Sequence, residues 1–182
     1  GTGSIGRAFT DFYANKSVKN MHVFSRQPVA DQIASVNYHN FDFTNEESLA
    51  SAAQQVSDFG SIDLIIVSIG LLHNSDFGPE KSLREISFKT LSTTFNSNVV
   101  VPALIAKHFI PLLNKSEHSV FAALSARVGS ISDNRMGGWY SYRASKAALN
   151  MIIKTLSIEV SRTMKSSIVV GLHPGTVKSE LS

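Results

Sequence analysis

Short blocks of apolar and β-branched residues alternate along the chain with longer stretches whose apolar residues recur every three or four positions. The blocks at 21–26, 36–43, 62–70, 120–125 and 167–172 have the length and composition of strands. Between them, Ile5, Ala8, Phe9, Phe12 and Tyr13 predict a first helix, and Leu49, Ala52, Ala53 and Val56 a second. Leu91, Phe95, Val99, Leu104, Ile105, Phe109 and Leu112 predict a long helix over 88–113 with Pro102 inside it. Ala148, Leu149, Ile152, Leu156 and Val160 give the buried face of a last one. The block 62–70 is almost continuously apolar, as expected of a central parallel strand buried on both faces. Thr44 with Glu47, and Ser82 with Glu85, have the spacing of capping boxes. Strands alternating with helices predict a doubly wound parallel α/β sheet, with helices on both faces and the ligand crevice outside the carboxyl ends of the strands. One domain is the natural reading of 182 residues.

Composition narrows the function. The chain is 43% hydrophobic, ample for one core, and it has no low-complexity segment. Its lack of cysteine excludes disulfides, thiol chemistry and a zinc-thiolate site; no metal is expected, and a cytoplasmic enzyme fits. The net charge of +3 is scattered rather than gathered in a basic block, which argues against nucleic acid as the main partner. No apolar run reaches the roughly 20 residues of a membrane span.

Candidate chemistry centres on residues 138–150. Tyr142 and Lys146 lie near the start of the last helix, four residues apart and therefore on one side, with Cβ atoms roughly 6 Å apart. A phenol, with a reference pKa of about 10, is a poor base near neutrality, but a fixed ammonium beside it favours the phenolate. Such a pair can exchange a proton at a substrate oxygen. A bare Tyr-x-x-x-Lys is more often a half-buried aromatic followed by a solvated lysine. Here it follows the strand-like 120–125, in a chain that opens with a glycine-rich turn into a helix. Glycines let the backbone approach phosphate, and a helix N-terminus offers free N–H groups.

Tyr142-Arg143-Ala144-Ser145-Lys146 in that setting resembles the short-chain dehydrogenase/reductase family. The run from Ser125 to Asn134, followed by Gly137-Gly138-Trp139-Tyr140-Ser141-Tyr142, is similar to its C-factor branch. The resemblance covers nearly the whole chain and implies a Rossmann fold. Thr2, Gly3, Ser4, Ile5 and Gly6 match the end of the family's phosphate loop, with Ser4 where a middle glycine is usual. Ser25 and Arg26 end the second strand about 20 residues beyond Gly6, where the ribose 2′ position is read. A guanidinium there suits a 2′-phosphate, so NADP(H) is expected over NAD(H); the plain alternative is a surface arginine. Asp42 and Phe43 resemble the pair that lies against adenine, though Asp42 equally suits a loop acid near a helix start. Ile69 and Gly70 stand in the family's Asn-Ala-Gly segment, the glycine kept and the asparagine replaced by Ser68. Pro174, Gly175, Val177 and Ser179 match the turn that touches the nicotinamide. His173, beside it, reads as structural.

The resemblance also makes Asn98 the residue that kinks the 88–113 helix and sustains a proton relay to the lysine, a role compatible with satisfying backbone loosened by Pro102. The family's catalytic serine falls on Ala126; Ser125, next to it, is the candidate substitute, with Ser130 and Ser132 nearby. Adjacent strand residues face opposite ways, so only a bulge would bring Ser125 round.

The function implied is an oxidoreductase that moves hydride between NADP(H) and a small carbonyl or alcohol substrate. Tyr142 gives or takes the proton, Lys146 depresses its pKa and anchors the ribose, and Ser125 and Asn98 assist. The alternative is a cofactor-binding signalling protein of the C-factor kind with little turnover. Pairing through the helices at 88–113 and 142–163 would give a homodimer or homotetramer. The chain also reads as a fragment of a longer enzyme, beginning inside the glycine loop and ending beyond the Pro-Gly turn.

Overall fold

The structure, a computed structural model, describes residues 3–175. Helix α1 (Ser4–Ala14) leads into strand β1 (His22–Ser25), β2 (Asn37–Asn40) and α2 (Glu46–Ser57). Strand β3 (Leu64–Val67) is followed by a long connection carrying a single 3-10 turn at Leu83–Glu85. Then come α3 (Phe88–Phe95), a π turn at Asn96–Val100, α4 (Val101–Phe109), β4 (Ser119–Leu124), α5 (Tyr140–Thr163) and β5 (Ser167–Leu172). All paired strands are parallel: β1 with β2, and β3, β4 and β5 in that order, with β4 in the middle. This is a Rossmann-like α/β fold.

Strand β4 is almost wholly buried because it has neighbours on both edges. Phe121 and Ala123, two apart and so on one face, join the main core with Val67, Leu113, Leu149 and Ile153. A second part of the core is aromatic. Phe24 of β1 stacks on His39, meets Phe41 edge-on and reaches Phe109 at the end of α4, at ring separations of 4.6, 5.2 and 5.8 Å. Burial of each large apolar side chain in these clusters contributes roughly 1.5–3 kcal/mol before chain entropy is counted.

Several local expectations shift. The N-cap of α2 is Asn45, whose side chain accepts from the Glu47 and Ser48 N–H groups, rather than Thr44. Thr44 is instead taken up by Asp42, which accepts both its N–H and its hydroxyl. Glu85 does reach back, to Ser82 Oγ and the Lys81 N–H, but it closes only a three-residue 3-10 turn. On α1 the buried positions are Gly6 and Thr10, while Ala8 and Phe12 face outward. On α5 the buried stripe is Ser141, Ser145, Lys146, Leu149, Ile153 and Val160, so Ile153 takes the place expected for Ile152. Strand β3 is half-buried rather than covered on both faces, with Leu64 exposed; among the described residues it lies at the edge of its sheet.

Candidate active site

The expected long helix over 88–113 is interrupted where Pro102 requires it. Proline has no N–H to give to the carbonyl four residues back. The chain widens at Asn96–Val100 into one π turn, and the Val101 N–H reaches the Asn96 carbonyl. Asn98 sits inside this turn, completely buried, and its amide leaves the helix. Its Oδ1 accepts from the Leu71 N–H at 2.7 Å, and its Nδ2 donates to the Leu71 carbonyl at 2.9 Å and to Ser145 Oγ at 3.0 Å. The asparagine therefore serves the backbone after β3 rather than that of its own helix. Ser145 donates in turn to the Tyr142 carbonyl at 2.8 Å, so Asn98 is linked to the first turns of α5.

Lys146 is buried to 2% exposure on α5, with its Nζ donating to the Leu124 carbonyl at the end of β4, 2.9 Å away. That nitrogen also lies 5.7 Å from the centroid of the Tyr142 ring. Burial lowers the lysine pKa to about 8. Burial likewise pushes the Tyr142 phenol above its ordinary value. Burial, not the Lys146 ammonium, therefore sets the direction of the Tyr142 shift in this arrangement, against the expectation that the ammonium would favour the phenolate. Gly70 completes this cluster. A Cβ there would stand 3.7 Å from Lys146 Nζ and 4.0 Å from Asn98 Oδ1, so its absence keeps the space over the lysine open.

Ser125 belongs to a neighbouring cluster. Its N–H donates to the Leu172 carbonyl, continuing the sheet, and its hydroxyl donates to Asn150 Oδ1 at 2.5 Å. Asn150 is one turn beyond Lys146 on α5. A cleft of about 450 Å³ opens here, lined by Ser125, Ala126, Ser130, Asn150 and His173 among others, but not by Tyr142 or Lys146. The Arg127 guanidinium pairs with Asp133 at its edge, at 2.6 Å. Behind it, Gly129 is wedged against α5: a Cβ would fall 2.7 Å from the Lys146 carbonyl carbon and 2.9 Å from its Cβ.

The remaining candidates are spread along strand ends. Gly3 is the N-cap of α1 and has no side chain to occupy the N–H groups behind it; Ser4 and Ile5 form the first turn, and the Gly6 carbonyl accepts from Thr10 Oγ1. Ser25 is buried, with its hydroxyl committed to the Gln27 carbonyl at 2.6 Å, while Arg26 is exposed. Asp42 is exposed, and its carboxyl is held below the usual range by the Thr44 hydroxyl and N–H. The Phe43 side chain lies in the core 4.5 Å from the Phe41 ring, which leaves only its backbone for a ligand. Ile69 packs against the core; Pro174 and Gly175 are exposed after β5, Gly175 with φ of 74°. Thr2, Val177 and Ser179 lie outside the described residues.

Two residues of the site were not anticipated. Asn150 carries no sequence signal beyond its place in the 138–150 stretch. Glu80 sits in a loop yet is 3% exposed, with its carboxylate against Ser141 at the start of α5. Its neighbours Pro79 and Lys81 give no hint of burial.

Parallel strands, a glycine at the N-terminus of α1 and a Tyr–Lys pair on α5 beside Gly70 stand together in a Rossmann-like α/β fold. The chain belongs to the short chain dehydrogenase family, which it matches over residues 1–182. It is 30% identical over 122 residues to the C-signal protein of Myxococcus xanthus, covering 67% of this chain and 69% of that protein. It is 31% identical over 142 residues to the 1-hydroxy-2-glutathionyl-2-methyl-3-butene dehydrogenase of a Rhodococcus species, covering 78% of this chain but only 58% of that one. The fold superposes on the NADPH-bound carbonyl reductase from chicken fatty liver with a TM-score of 0.83, at 22% identity, over 98% of this chain and 74% of that one. Among the described residues, no helix is long and apolar enough to cross a membrane.

Proposed function

We propose that the protein is an NADP(H)-dependent oxidoreductase acting on a small carbonyl or alcohol substrate in the cytoplasm. The observation that carries this is the Tyr142–Lys146 pair: Lys146 is buried and tied to Leu124, Tyr142 is half-buried beside it, and Gly70 leaves the space beside Nζ free. The residues fit a nicotinamide nucleotide. The bare N-terminus of α1 at Gly3 suits the diphosphate, and exposed Arg26 suits a 2′-phosphate.

NADPH, when bound, supplies the hydride to the carbonyl carbon. The chain manages the proton. Tyr142, whose phenol pKa is held above its ordinary value by partial burial, gives its proton to the carbonyl oxygen as that oxygen becomes negative. Lys146 offers an ammonium that stabilises the resulting phenolate and can turn towards a ribose hydroxyl. Asn98 holds Leu71 and Ser145, and through them the two segments that flank the lysine. Ser125 is the candidate for orienting the substrate oxygen, which requires its hydroxyl to leave Asn150. Exposed Val100, Met151 and Ile158 on the π turn and α5 support a homodimer or homotetramer.

The test is NADPH oxidation on a panel of aldehydes, ketones and quinones, with Tyr142→Phe alongside. Loss of at least 100-fold in kcat with NADPH affinity retained is expected; an unchanged kcat overturns the assignment. A second reading, a cofactor-binding signalling protein with little turnover, is favoured by Ala126 and by the engagement of Ser125 with Asn150. NADPH binding without turnover on the whole panel would select it.

A further inference from the structure

The N-terminus of α5 has an unusual entry. Gly137, Gly138 and Trp139 all have left-handed backbones, with φ of 65°, 63° and 54°. A glycine adopts such angles freely, but Trp139 does so at a cost of order 1 kcal/mol or more and must be held there. Trp139 is also the N-cap, and its side chain cannot accept from the helix. Helices normally fill this position with Ser, Thr, Asp or Asn.

Glu80 performs that task from 61 residues away in sequence. Its carboxylate accepts from Ser141 Oγ and from the Ser141 N–H at 3.3 Å, in the first turn of α5. Its own carbonyl accepts from the Trp139 N–H at 2.5 Å. One buried residue thus fixes the left-handed N-cap and satisfies a free N–H of the helix, where a carboxylate also complements the dipole. Tyr142 is the next residue after Ser141. The connection carrying Glu80 is itself pinned upstream at Leu71 by Asn98 and at Asp76 by Lys89.

We infer that Glu80 is a positioning residue for Tyr142: by capping α5 from the 68–87 connection, it sets the place and burial of the phenol. The inference rests on the oxidoreductase reading only for its effect on turnover. Lys146 lies in the second turn and has its own anchor at Leu124, so loss of the cap moves Tyr142 more than the lysine.

The experiment compares Glu80→Ala, Glu80→Gln and Ser141→Ala in the full chain. Three measurements are made: NADPH Kd, steady-state kinetics on the carbonyl panel, and titration of Tyr142 by tyrosinate absorbance against Tyr142→Phe. In Glu80→Ala, kcat falls at least 10-fold with NADPH Kd within about twofold, and the phenol titrates lower, back towards the free value of about 10. Glu80→Gln, whose amide can still accept from the Ser141 N–H and donate to its hydroxyl, recovers most of both. Wild-type titration and kcat in Glu80→Ala overturn the inference. Should Glu80→Ala fail to fold, Ser141→Ala decides, with a smaller shift of the same sign expected and wild-type behaviour refuting it. If Tyr142→Phe proves fully active, the oxidoreductase reading falls, whereas the titration still reports whether Glu80 holds the phenol.

Discussion

Asn98 and Leu71 are joined by a pair of hydrogen bonds, amide to backbone N–H and amide to backbone C=O, at 2.7 and 2.9 Å. The asparagine imitates a strand neighbour for a residue that lies beyond the end of β3. Replacing Asn98 by Ala leaves both Leu71 groups and one bond of Ser145 unmade, and each unsatisfied group costs about 1–3 kcal/mol. We expect a loss of about 2–4 kcal/mol in urea denaturation. Asn98→Asp should recover part of it, since it can still accept from the N–H; a cost below 1 kcal/mol for Ala would show that water replaces the amide.

Gly129 meets α5 too closely for any side chain. With a Cβ placed 2.7 Å from the Lys146 backbone, Gly129→Ala must push the helix away from the turn after β4. Overpacking of this kind costs typically 1–3 kcal/mol. The expected signature is lower thermal stability together with weakened NADPH binding, because the displaced segment carries Lys146. Stability equal to wild type would mean that the 127–129 turn yields instead.

Lys146 makes stability depend on alkaline pH. Its pKa falls from 10.5 unfolded to about 8 folded, so between these values the native state binds fewer protons than the unfolded one, and stability rises with pH. Below pH 8 the cost of burying the ammonium is fully present, on the order of 3 kcal/mol from a gap of that size. Lys146→Met should therefore be more stable than wild type at pH 7, less whatever the lost bond to Leu124 contributes, and the advantage should shrink from pH 8 to 10. Parallel pH profiles for the two proteins would refute this.

Arg26 is the one guanidinium in the 21–26 block and is exposed at the end of β1. If it reads a 2′-phosphate, Arg26→Ala should weaken NADPH binding by about 10–100-fold, the worth of a charge-assisted bond, and leave NADH nearly unchanged. Titration of both nucleotides measures the ratio. Equal weakening of the two would place the arginine elsewhere in the site.

The strands were legible because each apolar block is short and bounded, and 167–172 matches β5 residue for residue. The break near Asn98 was legible from Pro102, because a missing N–H is a property of the sequence alone. What Asn98 does was not. Its partners are Leu71 and Ser145, and side-chain spacing says nothing about a backbone 27 residues away. The Tyr142–Lys146 pair could be placed on one helix face from its spacing, but the balance between ammonium and burial depends on how deeply α5 is packed. Glu80 escaped for the same reason: an acid between Pro79 and Lys81 reads as solvent-facing until α5 is laid over it. The α1 face was misjudged because periodicity identifies an apolar stripe without saying whether a neighbour covers it.

The contacts that shape the site span long stretches of chain: 61 residues from Glu80 to Ser141 and 47 from Asn98 to Ser145. Each closes a large loop, whose entropy must be met before the contact gives anything back. The helices can form locally and early, but the site is assembled from the last contacts to close. During refolding, helical signal should therefore return before the capacity to bind NADPH, and a chain caught between the two events would look folded while offering no place for the nucleotide.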